Sequence, residues 1–131
     1  MENNLYKNIY GIDKNIIELT LSDFIYKNKK LYINNDIFKN KKGLIIFYAP
    51  WCKHCKENSE LMIELALANI NLFNFGSVNY ENLEDKNDIL CNYANIKKFP
   101  TIKYIEKNGE LFDYKYEYTI DNLIYFVNTN Q

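Results

Sequence analysis

One stretch limits what this chain can fold into: "GLIIFYA" at 43–49, followed at once by "PWCKHC" at 50–55. The first part is a continuous apolar run rich in β-branched and aromatic residues, which predicts a strand buried on both faces. After the second part, Leu61, Met62, Leu65, Ala68 and Leu72 recur at three- and four-residue spacing. That spacing predicts an amphipathic helix beginning within the cysteine motif. A buried strand thus feeds into a helix whose first turn holds two cysteines at i and i+3.

The rest of the chain supplies partners for that strand. "IIELT" (16–20) and "KLYIN" (30–34) are rival candidates for the first strand of the main sheet. "LFNFGSVNY" (72–80) contains another strand, and "DILCNYANI" (88–96) reads as a helix with Ile89, Leu90 and Tyr93 on one side. "TIKYI" and "LFDYKY" flank Asn108-Gly109, a pair suited to a two-residue hairpin turn. Thr119 predicts the cap of a last helix in which Ile120, Leu123, Ile124 and Val127 share a face. The order β-α-β-α-β-β-α implies an α/β domain with a central mixed sheet and helices on both faces. Residues 1–131 read as one domain, with a polar, loosely held start at 1–11.

Composition removes several function classes. A formal net charge of -1 provides no overall basic field for nucleic acid or anionic lipid. The start "MENNLYKNIYG" lacks the apolar run of a signal peptide, and no stretch approaches a membrane span, so the expectation is a cytoplasmic monomer. All 16 basic residues are lysines; with abundant Asn, Ile and Tyr, this suggests AT-rich coding, and a virus particle is the alternative location if the source is a large DNA virus. The "NKK" (28–30) and "KNKK" (39–42) clusters read as solvated loops.

The cysteine pair admits three readings. A structural zinc site needs about four ligands. Here Cys91 is 36 positions beyond Cys55 and His54 is trapped between the paired cysteines, so no metal is expected. A structural disulfide would close a very short loop, where the entropic gain is smallest. Reactive thiols fit best, because a helix start offers unpaired N–H groups and the positive end of the dipole to a thiolate. Cys52 is then the exposed attacker and Cys55, one turn later, the more buried resolving thiol.

"FYAPWCKHCK" resembles the active site of the thioredoxin superfamily, specifically of protein disulfide isomerase domains, which commonly read Phe-Tyr-Ala-Pro-Trp-Cys-Gly-His-Cys-Lys. "FPTIKYIEKNGE" (99–110) is similar to the family's second motif. The resemblance implies a thioredoxin fold, with a cis-proline loop facing the Cys-x-x-Cys helix start, and a thiol–disulfide oxidoreductase acting on protein or peptide dithiols and disulfides. An unidentified electron donor or acceptor completes the cycle, and the Cys52–Cys55 disulfide is the only redox group. Pro100 is by this analogy the cis-proline. Phe99 and Thr101 flank it in the substrate groove, and Trp51 shapes the apolar rim.

Four departures qualify the resemblance. Lys53 replaces the family's glycine, while His54 retains its histidine; together they are expected to favour the Cys52 thiolate. The disulfide should then be more oxidising than that of thioredoxin, nearer the roughly -180 mV of protein disulfide isomerase than about -270 mV. Ile46 stands where the family places a buried carboxylate, and Ser77 where a lysine often partners it. Tyr118 occupies about the place of a mobile arginine. Cys91, in the predicted second helix, reads as a small apolar core residue. The missing carboxylate sustains an alternative: a thioredoxin-like module that holds clients with little turnover.

Overall fold

In chain order the elements are β1 (Ile16–Leu19), β2 (Phe24–Lys27), β3 (Lys30–Ile33), β4 (Gly43–Tyr48), α1 (Lys53–Asn69), β5 (Asn74–Asn79), α2 (Asn87–Tyr93), β6 (Thr101–Ile105), β7 (Leu111–Asp113) and α3 (Ile120–Thr129). The computed structural model describes residues 15–69 and 72–130, so the expectation for 1–11 lies outside the described residues.

The main sheet has the order β1-β5-β4-β6-β7. β4 is central and buried along its whole length, parallel to β5 and antiparallel to β6. Its two faces enter separate halves of the core, which is why its sequence lacks the alternation of a half-exposed strand. Leu44, Ile46 and Tyr48 pack against Met62, Leu65 and Ala66 of α1 and Leu123 and Val127 of α3. Ile45 and Phe47 face Leu90 and Cys91 of α2, together with Phe24, Leu31 and Ile33 of the β2–β3 hairpin. Helices therefore cover both faces, as expected. Burying each such large side chain contributes roughly 1.5–3 kcal/mol.

The competition for the first strand is decided for 16–20: β1 pairs with β5, whereas β3 pairs with β2 in a separate two-stranded sheet. β2 itself was not expected from the sequence. The hairpin is closed by Asn28 and Lys29, both with positive φ (51° and 64°), the mark of a two-residue type I′ turn. The lysine cluster at 28–30 is thus a turn with a defined shape.

Three details correct the sequence reading. Ala68 is exposed and Leu72 lies beyond α1, also exposed. The buried stripe of α1 runs through Cys55, Met62, Leu65 and Ala66, so Leu61 and Ala68, seven positions apart, fall on its rim. In α2, Ile89 and Tyr93 point outward while Asn87, Leu90 and Cys91 are buried. Asn87 is tolerated inside because its amide donates to the carbonyls of Leu19 and Asn79 and its oxygen accepts from Leu21 N–H. Tyr93 stacks on Tyr26, ring centroids 4.4 Å apart.

The β6–β7 connection is a three-residue loop. Glu106 N–H donates to the Glu110 carbonyl (3.0 Å) and Gly109 N–H to the Glu106 carbonyl (2.8 Å). Gly109 alone takes the left-handed conformation (φ 92°), where a side chain would also meet the Ile33 carbonyl at 2.8 Å. That is a type I turn with a glycine bulge in place of the expected two-residue turn. Thr119 caps α3 as expected, its Oγ1 accepting from Asn122 N–H at 3.1 Å.

Candidate active site

β4 delivers the cysteines. After Tyr48 the chain turns sharply: Cys52 N–H donates to the Ala49 carbonyl (3.0 Å) and Lys56 N–H to the Cys52 carbonyl (3.3 Å). Pro50, which has no N–H to donate, sits where the sheet ladder ends. Cys52 therefore lies immediately before α1, half-buried, and Cys55 is on the inward stripe with no exposed surface. Both are free thiols. Burial pushes the Cys55 thiol up to about 12, against a backbone hydrogen bond from Ala49 that lowers it.

Facing the helix start is the loop before β6, where the Phe99–Pro100 peptide bond is cis. The Cys52 thiol donates to the Phe99 carbonyl oxygen at 3.5 Å. Trp51, 63% exposed, meets the Phe99 ring edge-on with centroids 6.1 Å apart. Tyr80 also packs against the Phe99 ring, with centroids 5.1 Å apart. Tyr80 was missed by the sequence reading. The available signal was its place just past β5, the strand parallel to β4, since open parallel sheets gather their sites at the carboxyl ends of such strands. Thr101 turns its hydroxyl back to the Lys98 carbonyl (2.7 Å), which braces the loop.

Lys53 is exposed, and the His54 imidazole is directed to Glu57, Nδ1 to Oε1 3.1 Å, with both side chains largely in solvent. Glu57 was absent from the candidate residues. Its signal was the i, i+3 spacing that places it on the same helix face as His54.

Beneath the cysteines, Ile46 and Ser77 are cross-strand neighbours in the β4–β5 register. Ile46 belongs to the same buried cluster as Cys55. Ser77 shares the strand face of Phe75, another member of that cluster, and its buried hydroxyl has no hydrogen-bond partner among the described residues. Tyr118 accepts a hydrogen bond from Ile102 N–H at 2.8 Å, at the point where β7 no longer covers β6. Cys91 is buried in the opposite half of the core.

Among the described residues no helix is long and apolar enough to cross a membrane. The chain is 33% identical over 103 residues to a protein disulfide-isomerase of Drosophila melanogaster, an alignment covering 70% of this chain and 18% of that protein. It is 32% identical over 105 residues to a protein disulfide-isomerase of Datisca glomerata, covering 72% of this chain and 18% of the relative. The chain thus spans less than a fifth of these relatives' length. Among solved structures, the J-Trx1 fragment of ERdj5 superposes with a TM-score of 0.72 at 20% identity, covering 92% of this chain and 54% of that one. The Trx4 domain of ERdj5 gives 0.66 at 20% identity, covering 88% and 94% respectively. The thioredoxin family model matches residues 24–129, which include the whole of the cysteine motif and the cis-proline loop, and the chain belongs to the thioredoxin family.

Proposed function

We propose that this domain is a thiol–disulfide oxidoreductase acting on protein or peptide clients through Cys52 and Cys55. The observation that carries the reading is the position of Cys52, half-exposed at a helix start with its sulfur 3.5 Å from the Phe99 carbonyl, above a fully buried Cys55. The first thiol is accessible to a client and the second is protected from it.

The Cys52 thiolate attacks one sulfur of a client disulfide. The client S–S bond breaks, a Cys52–client disulfide forms, and the other client sulfur leaves as a thiolate. Cys55, once deprotonated, attacks Cys52 Sγ and releases the reduced client, leaving the Cys52–Cys55 disulfide. Two electrons pass to the client; the reverse sequence oxidises it. Trp51, Phe99 and Tyr80 supply an aromatic rim that presents apolar client surface to Cys52. Lys53 and His54 tune the thiolate, with Glu57 opposing them. In a reducing compartment the pair would work mainly as a reductase. The Lys53 charge beside Cys52 favours oxidation or isomerisation.

A second reading, a client-holding module with little turnover, is supported by the apolar surroundings and raised pKa of Cys55. Reduction of insulin disulfides and refolding of a scrambled disulfide substrate test the choice. Catalysis of either supports the oxidoreductase, while mixed-disulfide capture without turnover supports the holder.

A further inference from the structure

Immediately beyond Pro100 the chain borders a second concave surface. A groove of about 630 Å³ is lined by Lys97, Lys98, Thr101, Lys115, Tyr116 and Tyr118, with Ile102 in its floor. Lys103 and Asp113, also in its wall, form an ion pair with each other. That leaves Lys97, Lys98 and Lys115, all exposed and with no ion-pair partner among the described residues, against the single carboxylate of Glu117. A different hollow is lined by Glu18, Glu81, Glu84 and Asp85. Charge is therefore segregated on a domain whose formal net charge is only -1, and one basic concavity adjoins the candidate active site.

We propose that this groove receives an acidic segment of the client polypeptide, close in sequence to the client cysteine; the inference rests on the thiol–disulfide reading above. Phe99, whose carbonyl touches the Cys52 thiol, and Thr101, in the groove, are two residues apart, a chain path of no more than about 7 Å. An extended client held at Cys52 would thus reach the groove with residues roughly two to four positions from its cysteine. Lysine ammonium groups suit Asp and Glu side chains, and Tyr116, 62% exposed, offers an aromatic wall to the apolar stem of a Glu. The attraction acts between exposed groups and weakens with salt.

The test uses two octapeptides with one cysteine each, identical except that Asp and Glu or Lys flank it, both activated as 2-thiopyridyl disulfides. A hydroxyethyl 2-thiopyridyl disulfide serves as the neutral probe. Attack by Cys52 forms the mixed disulfide and releases pyridine-2-thione, whose absorbance gives the rate. After normalisation to the neutral probe, the acidic peptide should react about fivefold faster than the basic one at low salt, and the ratio should shrink at high salt. Lys97→Glu/Lys98→Glu should bring the ratio close to one or invert it. Lys115→Glu alone should lower it, and Lys107→Glu, an exposed charge reversal outside the groove, should leave most of it. A ratio near one in the natural protein, or an equal fall in the Lys107 variant, would overturn the groove assignment. Loss of reaction with the neutral probe itself would instead remove the thiol–disulfide reading on which it rests.

Discussion

Ile46 of β4 lies beside Ser77 of β5, and Ile46 belongs to the buried half-core that contains Cys55. Among the described residues no carboxylate is paired with the resolving thiol there, and burial raises that thiol to about 12. At neutral pH its thiolate is scarce, so the resolving step should accelerate by about tenfold per pH unit above neutrality until other steps limit. Ile46→Asp supplies a proton acceptor at a cost of several kcal/mol, because its charge is buried without a partner. Adding Ser77→Lys should recover part of that loss. The folded double variant should resolve mixed disulfides faster at neutral pH than the natural protein, measured by stopped flow. An equal or slower rate would show that proton transfer does not limit resolution.

The unequal exposure of the two thiols sets their division of labour. Cys55→Ser should accumulate client mixed disulfides on Cys52, visible on non-reducing gels, because nothing remains to resolve them. Cys52→Ser should accumulate almost none, since Cys55 has no exposed surface. Comparable trapping by both variants would reverse the assignment of attacker and resolver.

Glu57 and Lys53 should act on the redox potential in opposite directions. Glu57→Gln removes a negative charge beside His54 and should make the disulfide more oxidising. Lys53→Gly should make it more reducing. Exposed charge pairs contribute about 0.2–1 kcal/mol, or roughly 5–20 mV for this two-electron couple. Equilibration against glutathione at low and high ionic strength checks both signs, and the shifts should shrink with salt.

The Tyr118 hydroxyl covers the Ile102 N–H at an open part of the sheet edge, two residues past the cis-proline. Tyr118→Phe should lower stability by about 1 kcal/mol, read from denaturant unfolding. Faster hydrogen exchange at the Ile102 amide should accompany it. Unchanged exchange would mean that water satisfies this amide equally well.

Burial also pushes the Cys91 thiol up to about 12. A thiol whose folded pKa lies above its unfolded value near 9 stabilises the fold fully below that value. The contribution is lost as pH rises from about 9 toward 12, because the unfolded chain loses its proton first. Cys91→Ala should be less stable than the natural protein at about pH 8, by roughly 0.5–3 kcal/mol. That gap should narrow as pH rises into the window, as followed by Tm. A constant gap would show that the thiol does not titrate differently on unfolding.

The cysteine motif, the buried strand before it and the capped last helix were legible because each depends on near neighbours in sequence. "GLIIFYA" has no polar residue to face solvent, and Thr119 reaches an amide only three positions on. Tertiary packing decided what local periodicity could not. Asn87 is buried only because carbonyls from Leu19 and Asn79 converge on it, and its burial turns Ile89 and Tyr93 outward. β1 rather than β3 joins the main sheet because β3 is taken by β2, and no pattern within either segment records that choice. Tyr80 reaches Phe99 only once β5 lies parallel to β4. The chemistry of the cysteine pair is written in adjacent residues; the rim, the floor and the basic groove around it exist only after distant strands have been brought together.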